Sequence, residues 1–185
     1  PVSDEVFQAY LRLYAYDKTE LGARLEETTA SPEWRWEKVS INAAYGGERF
    51  SVHLFLPTNA APPFQAVVLY PGAYAYFIKA LEPSFIDDVL EFVPRSGRVL
   101  VIPVYRGQFE RPDGLKVGGQ PPALWRDRAI MQAKDLGRTL DYLATRRDID
   151  NSRLAYFGHS AGGAMAPELL AIEQRFKAAI LLAAG

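Results

Sequence analysis

The spacing of apolar positions changes along the chain and divides it into distinct segments. Residues 3–16 carry apolar side chains at helical spacing behind Ser3, which predicts a helix capped by that serine. Apolar and polar residues then alternate over 34–41 and again over 50–56, with a Gly-Gly turn at 45–48 between them. Because such alternation is typical of half-buried strands, these segments predict a β-hairpin.

From residue 66 onward, the apolar residues come in short continuous runs separated by helical patterns. Such runs are typical of strands that are covered on both faces of a mostly parallel sheet. The predicted strands are 66–70, 99–104, 154–157 and 178–183, and the predicted helices are 83–93, 125–146 and 161–173. A hairpin followed by repeated strand–helix units predicts an α/β fold with a doubly wound, mostly parallel sheet. Ligands of such sheets bind beyond the carboxyl ends of the strands.

Composition argues against several classes of function. The chain has 21 Lys and Arg against 22 Asp and Glu, so we expect no basic face and no nucleic-acid partner. No apolar run reaches the roughly 18–20 residues of a membrane span. With no cysteine and only two histidines, His53 and His159, we expect neither a metal site nor a cofactor. The lack of a signal-peptide pattern and of disulfides slightly favours a soluble, cytoplasmic protein and leaves the compartment open.

The segment 154–163 contains the pattern Gly-x-Ser-x-Gly around Ser160. In this pattern a strand turns sharply into a helix and presents a serine at the tip, in a strained backbone conformation. The glycines at 158 and 162 leave room where side chains would collide across the turn. Because a buried strand is predicted before Ser160 and a helix after it, we interpret Ser160 as a nucleophile. The alternative is a serine that caps a helix in a Gly-rich turn.

A serine nucleophile also needs N–H donors for the negative charge that develops on a substrate carbonyl. Ser160 lies at a predicted helix N-terminus, where free N–H groups and the helix dipole favour negative charge. The N–H of Ala161 is therefore the expected first donor. The loop after strand 66–70 should supply the second donor, and we expect it from Ala73, with Tyr74 as the alternative and as a substrate contact.

The residues around these motifs resemble those of the α/β-hydrolase fold. The chain is most similar to serine hydrolases of the dienelactone hydrolase, acetyl xylan esterase and prolyl-oligopeptidase group. The segments that carry the resemblance are Tyr70-Pro71-Gly72, 103–107, 135–143, 147–150 and the Ser160 motif itself. The resemblance implies that Ser160 is the nucleophile and that Ala73 and Ala161 form the oxyanion hole. It also implies that Tyr105 and Arg106 contact the substrate, whereas a structural salt bridge and turn is the alternative for this pair.

Two features depart from the pattern of these enzymes. Pro167 falls inside the helix after Ser160, where it removes a hydrogen bond to Gly163 and predicts a kink or an early break. The order along the chain in this fold is serine, acid, histidine, but no histidine follows Ser160. We therefore expect a partial α/β-hydrolase domain at 34–185, truncated after its sixth strand, behind an N-terminal helical extension at 1–33. The acid, the histidine and a cover for the edge of the last strand are expected from a missing C-terminal segment of the same fold.

The favoured prediction is a serine esterase that cleaves small-molecule carboxylic esters through an acyl-enzyme on Ser160. One alternative is a serine peptidase of prolyl-oligopeptidase type, which uses the same mechanism on peptides. The other is an inactive hydrolase fold that serves as a binding module. The strained turn favours an enzyme, because a binding module has no need to keep a conformation that costs about 1–3 kcal/mol.

Overall fold

In the computed structural model, residues 2–86, 90–115, 119 and 121–184 are described. The strands are β1 (Arg24–Ala30), β2 (Trp34–Asn42), β3 (Arg49–Pro57), β4 (Phe64–Tyr70), β5 (Val99–Pro103), β6 (Ile149–His159) and β7 (Phe176–Leu182). They form one sheet in the order β1-β2-β3-β5-β4-β6-β7. The pairs from β1 to β5 are antiparallel, and the pairs from β5 through β4 and β6 to β7 are parallel. The predicted α/β fold is confirmed, with a sheet that is mixed.

The helices cover both faces of this sheet, which is the doubly wound arrangement. They are α1 (Asp4–Tyr14), α2 (Phe92–Arg95), α3 (Pro122–Thr145) and α4 (Ala161–Ile172), with 3-10 turns at Ala73–Tyr76 and Pro83–Ile86. On one face, α3 buries Leu136, Leu140 and Leu143 in a cluster with Val68 and Val101. The opposite cluster contains Ile86 and Val93, together with Leu69 and Phe157 of the sheet. Burial of two separate apolar faces fixes the layers of the fold.

The hairpin β2–β3 is confirmed, with Trp34 opposite Pro57 and Asn42 opposite Arg49. Its turn contains Gly46 and Gly47 at φ angles of +65° and +61°. Glycine adopts this left-handed region without steric cost, so the Gly-Gly pair determines where the chain reverses.

The structure also contains a strand that the sequence pattern did not predict. Residues 24–30 form β1, which extends the sheet beyond β2, whereas the sequence pattern predicted a helical extension there. Every residue of β1 is exposed, so its side chains show no alternation of apolar and polar positions. The helix predicted for 3–16 is present as α1, with Ser3 as its cap, but its apolar residues Tyr10 and Leu13 are exposed.

Two predicted features of the helices differ from the structure. The helix predicted for 83–93 is divided into the 3-10 turn Pro83–Ile86 and the short helix α2, and residues 87–89 lie outside the described residues. Of the kink or early break predicted at Pro167, the early break does not occur: α4 continues past the proline to Ile172. Ala166 and Leu169 are buried on either side of the proline and anchor the helix to the sheet.

The strand β7 lies at one edge of the described sheet and is largely uncovered. Its residues 177–182 are all exposed, and Ile180, Leu181 and Leu182 are about half exposed. An exposed apolar edge strand is a site at which another strand can pair.

Candidate active site

Ser160 alone makes the turn between β6 and α4. The strand ends at His159 and the helix begins at Ala161. Ser160 has φ +51° and ψ −111°, a conformation that a non-glycine residue rarely adopts. Such strain costs of order 1–3 kcal/mol and persists only where the surrounding structure enforces it.

The glycines on either side of Ser160 are required by packing. A Cβ atom on Gly158 would lie 2.5 Å from the carbonyl oxygen of Gly162, and one on Gly162 would collide with the carbonyl of Tyr70. The hydroxyl of Tyr156 donates to the carbonyl of Gly162 at 2.6 Å and so ties the first turn of α4 to β6. The tight turn therefore depends on two glycines that the sequence motif identifies and on one tyrosine that it does not.

Backbone hydrogen bonds hold Ser160 from both sides. Its N–H donates to the carbonyl of Leu182 in β7 at 2.8 Å, and its carbonyl accepts from the N–H of Ala164 at 3.0 Å. The serine is thus fixed between the outer strand of the sheet and the first turn of α4.

The loop that should supply the second oxyanion donor lies beside this turn. Strand β4 pairs with β6, and Tyr70 is directly opposite Gly158, so both chains leave the sheet at the same point. A Cβ atom on Gly72 would lie 3.0–3.1 Å from Tyr74 and His159, which shows how closely the two loops approach. Ala73 and Ala161 are each the first residue of a helical turn, where an N–H has no partner within its own helix.

The ring of Tyr74 packs between the two loops and an aromatic side chain behind them. Its centroid lies 5.7 Å from that of His159 and 5.9 Å from that of Phe85. Burial raises the pKa of the Tyr74 hydroxyl, and the backbone of Gly72 acts in the opposite direction. Tyr74 is therefore a neutral, half-buried wall next to the turn.

Tyr105 and Arg106 have structural partners in the loop after β5. Tyr105 is fully buried, stacks on Tyr70 at 4.4 Å, and donates to the carbonyl of Leu69 at 3.4 Å. The guanidinium of Arg106 bonds both carboxylate oxygens of Glu48, at 2.6 and 2.7 Å. A side chain without exposed surface cannot contact a substrate in this conformation, so Tyr105 is placed with the core.

The same loop belongs to a polar cluster that the sequence analysis did not identify. Asp135 of α3 is fully buried and accepts hydrogen bonds from Arg111 at 2.6 Å, Tyr45 at 2.9 Å and the backbone of Arg106 at 3.0 Å. Burial raises the pKa of the Asp135 carboxyl to about 6, while Arg111 acts in the opposite direction. The cluster joins the β2–β3 turn, the β5 loop and α3 close to the carboxyl edge of the sheet. Asp135 directly precedes Leu136 and so lies off the apolar stripe of the predicted helix, and no local sequence pattern identifies this cluster.

Neither histidine is placed as a base for Ser160. His53 is fully buried in β3, where its Nδ1 accepts from the indole N–H of Trp36 at 3.1 Å. Its Nε2 lies 3.4 Å from Glu110, and burial lowers the pKa of His53. His159 precedes Ser160 on β6 and packs against Tyr74.

The described residues contain no cluster of three or more acidic, histidine or cysteine side chains suited to a metal ion. In the same part of the chain, no helix combines the length and the apolar character needed to cross a membrane.

A family model described as the prolyl oligopeptidase family matches residues 90–184, which is 95 of the 185 residues. No match was found among curated proteins. The matched range includes β5, the loop of Tyr105, α3, the Ser160 turn and β7.

Several solved structures share the fold. An acetyl xylan esterase from Paenibacillus sp. R4 is 21% identical with a TM-score of 0.70, and 96% of this chain covers 58% of it. Acetyl xylan esterase 1 from Thermoanaerobacterium is 13% identical with a TM-score of 0.70, with coverages of 98% and 58%. A glucuronoyl esterase from Solibacter usitatus is 18% identical with a TM-score of 0.62, with coverages of 94% and 56%. The chain thus spans less than two thirds of each structure, and the shared fold is that of the α/β-hydrolases.

Proposed function

The chain belongs to the prolyl oligopeptidase family, and from that premise we propose that it is a serine hydrolase that cleaves carboxylic esters through an acyl-enzyme on Ser160. The observation that carries the proposal is the backbone of Ser160, which is held at φ +51° between two glycines that packing requires. A backbone conformation that costs free energy is kept where the serine at the tip of the turn has a function.

The proposed reaction begins when a substrate carbonyl lies over Ser160. The serine Oγ loses its proton to a base and attacks the carbonyl carbon, and the N–H groups of Ala161 and Ala73 bond the resulting oxyanion. The C–O bond to the leaving group then breaks, the alcohol takes the proton from the base, and the acyl group stays on Ser160. A water molecule releases the acid by the same steps in reverse order.

We propose that the base and its orienting acid come from a further segment of the same fold, outside these 185 residues. Two observations support this proposal. His53 is fully buried and bonded to Trp36, so it cannot reach Ser160 in this structure. The exposed apolar edge of β7 can pair with an additional strand, which would bring the following loops to the carboxyl edge of the sheet.

The acyl substrate is proposed to be an ester. The solved structures that share the fold include acetyl xylan and glucuronoyl esterases. A peptidase is the second candidate, because the family model is that of the prolyl oligopeptidases. Peptide cleavage without ester cleavage would reverse this order, and a protein inert to both would be a binding module.

The proposal is tested by labelling the full-length protein with a fluorophosphonate probe and measuring its intact mass. We expect one adduct, mapped to Ser160, and turnover of small esters. Ser160→Ala should abolish the adduct and reduce ester hydrolysis by at least about a thousandfold. The matched control is Ser152→Ala, since Ser152 is exposed on β6 at the far end of the strand. Labelling of another residue, or activity retained by Ser160→Ala, would refute the assignment.

A further inference from the structure

A small cavity of about 200 Å³ lies beside the Ser160 turn. The described residues that line it are Leu69, Tyr74, Phe85, Leu90, Phe157, His159 and Leu182. Leu69, Phe157 and Leu182 lie at or near the carboxyl ends of β4, β6 and β7. The cavity therefore opens at the edge of the sheet where ligands of doubly wound folds bind.

The walls of the cavity are continuous with the proposed reaction centre. His159 directly precedes Ser160, and Tyr74 directly follows the proposed oxyanion donor Ala73. Leu182 both lines the cavity and accepts the hydrogen bond from the N–H of Ser160. The cavity therefore shares wall residues with the loops that carry Ser160 and Ala73.

The chemistry of the walls selects an apolar ligand. The described lining has five aliphatic or phenyl side chains, the ring of Tyr74 and the ring of His159, and none of them is an acid, a lysine or an arginine. A sugar or a charged group buried there would lose its hydrogen bonds to water without replacement, at a cost of several kcal/mol. Aromatic rings at 5.6–5.9 Å from one another, from Phe109 through Phe85 to Tyr74, give the walls a rigid shape.

The volume limits the size of that ligand. An engineered apolar cavity of about 150 Å³ in another protein holds benzene. A cavity of about 200 Å³ accordingly has room for one aromatic ring or a short branched chain.

We propose that this cavity binds the apolar group of the substrate ester, which is a single ring or a chain of about four to six carbons by this size comparison. The proposal rests on the proposed esterase function and specifies the substrate class of that same site. It distinguishes the protein from an enzyme that is selective for acetyl groups on a polysaccharide.

The test compares kcat/KM over two series of esters with the full-length protein. One series varies the acyl group of methyl esters from acetate through butanoate, hexanoate and phenylacetate to decanoate. The other varies the alcohol of acetates from methanol to butanol and benzyl alcohol. At roughly fourfold per buried methylene, the preferred chain should exceed methyl acetate by about a hundredfold in one series, and decanoate should fall below hexanoate. The series that responds identifies whether the acyl or the alcohol group occupies the cavity.

Phe85 provides the variants, because it is a partly buried wall away from Ser160. Phe85→Ala should shift the preference towards longer chains, and Phe85→Trp should shift it towards methyl acetate, each by about tenfold in the ratio of the longer to the shortest ester of the series that responds. Phe77→Ala is the matched control, since Phe77 is 73% exposed and is not among the lining residues described. The control should leave the profile unchanged.

A binding measurement separates this proposal from the proposed function. Toluene should bind to Ser160→Ala in ligand-observed NMR, and Phe85→Trp should weaken that binding at least fivefold. Toluene binding without hydrolysis of any ester would support the cavity and overturn the esterase. Hydrolysis with no preference over methyl acetate in either series, or a profile that the Phe85 variants do not change, would overturn the cavity proposal alone.

Discussion

The loop after β5 and the turn after β6 leave the same edge of the sheet, on either side of β4. Charged side chains of the β5 loop pair with residues outside it: Arg106 with Glu48 of the β2–β3 turn, and Arg111 with Asp135 of α3. The turn after β6 is built from small residues, and Ala161 begins its helix with an N–H that has no intrahelical partner. Polar residues at a strand end can therefore serve as supports, whereas reactivity depends on groups that the fold leaves available.

The largest expected effect is on the turn after β6. Gly162→Ala would drive a Cβ atom into the carbonyl of Tyr70 in β4, so either the turn or the strand must move. We expect a loss of about 4–5 kcal/mol in the free energy of unfolding, together with loss of fluorophosphonate labelling. Denaturant titration measures the first quantity. Gly114→Ala is the control, because no described residue lies within 4 Å of a Cβ atom placed there, and its φ of +74° opposes alanine by about 1–2 kcal/mol.

The second prediction concerns the supports of the β5 loop. Arg111→Met would leave Asp135 buried without its ion-pair partner, and breaking a buried pair in this way costs about 3–5 kcal/mol. The free energy of unfolding should fall by that amount. The control Arg126→Met removes an exposed partner of Asp127 and should cost less than about 1 kcal/mol. Equal losses in the two variants would show that the buried cluster is not a support.

A third variant distinguishes the catalytic role of the Ala161 N–H from the structural role of Ala161 as the first residue of α4. Proline is tolerated at the first position of a helix but has no N–H, so Ala161→Pro removes the proposed oxyanion donor. We expect kcat to fall about 100- to 1,000-fold, with thermal unfolding close to that of the parent protein. Ala161→Gly retains the N–H and should retain most of the activity. Unchanged kcat in the proline variant would remove Ala161 from the oxyanion hole.

The smallest expected effect is a pH dependence of the stability that Glu48 contributes by pairing with the β5 loop. Burial acts to raise the pKa of Glu48, but hydrogen bonds from Arg106 and Arg111 outweigh it, and the pKa is lowered below its usual 4.5. A carboxyl group whose pKa is lower in the folded than in the unfolded state stabilises the fold at pH values above its unfolded pKa. This stabilisation is lost as pH falls through the folded pKa. Glu48→Gln should therefore be less stable at pH 7 by under about 1 kcal/mol, since Glu48 is partly exposed, and the difference should disappear in acid.

Much of the fold could be predicted from the spacing of apolar residues. Strands β2 to β6 bury apolar side chains, and β7 continues the alternation of strands and helices. Strand β1 could not be predicted in this way, since all of its side chains are exposed and only its backbone pairing with β2 defines it. The Ser160 turn was predictable because two positions beside Ser160 have no room for a side chain. Both must therefore be glycine, and the two glycines are visible in the sequence. The partners of Tyr105 and Arg106 depend on side chains that are distant in sequence, such as Glu48, and no local pattern contains them.

The hydrogen bond from Ser160 to Leu182 makes the proposed nucleophile part of the outermost ladder of the described sheet. Local opening in proteins starts where few contacts hold a segment, and β7 is exposed along most of its length. When β7 frays, the amide of Ser160 loses its acceptor while the ladders of β3, β4 and β5 stay closed. We therefore expect this amide to exchange with solvent at the rate of the outer strand in the 185-residue chain, and more slowly in the full-length protein, where the proposed further strand pairs with β7.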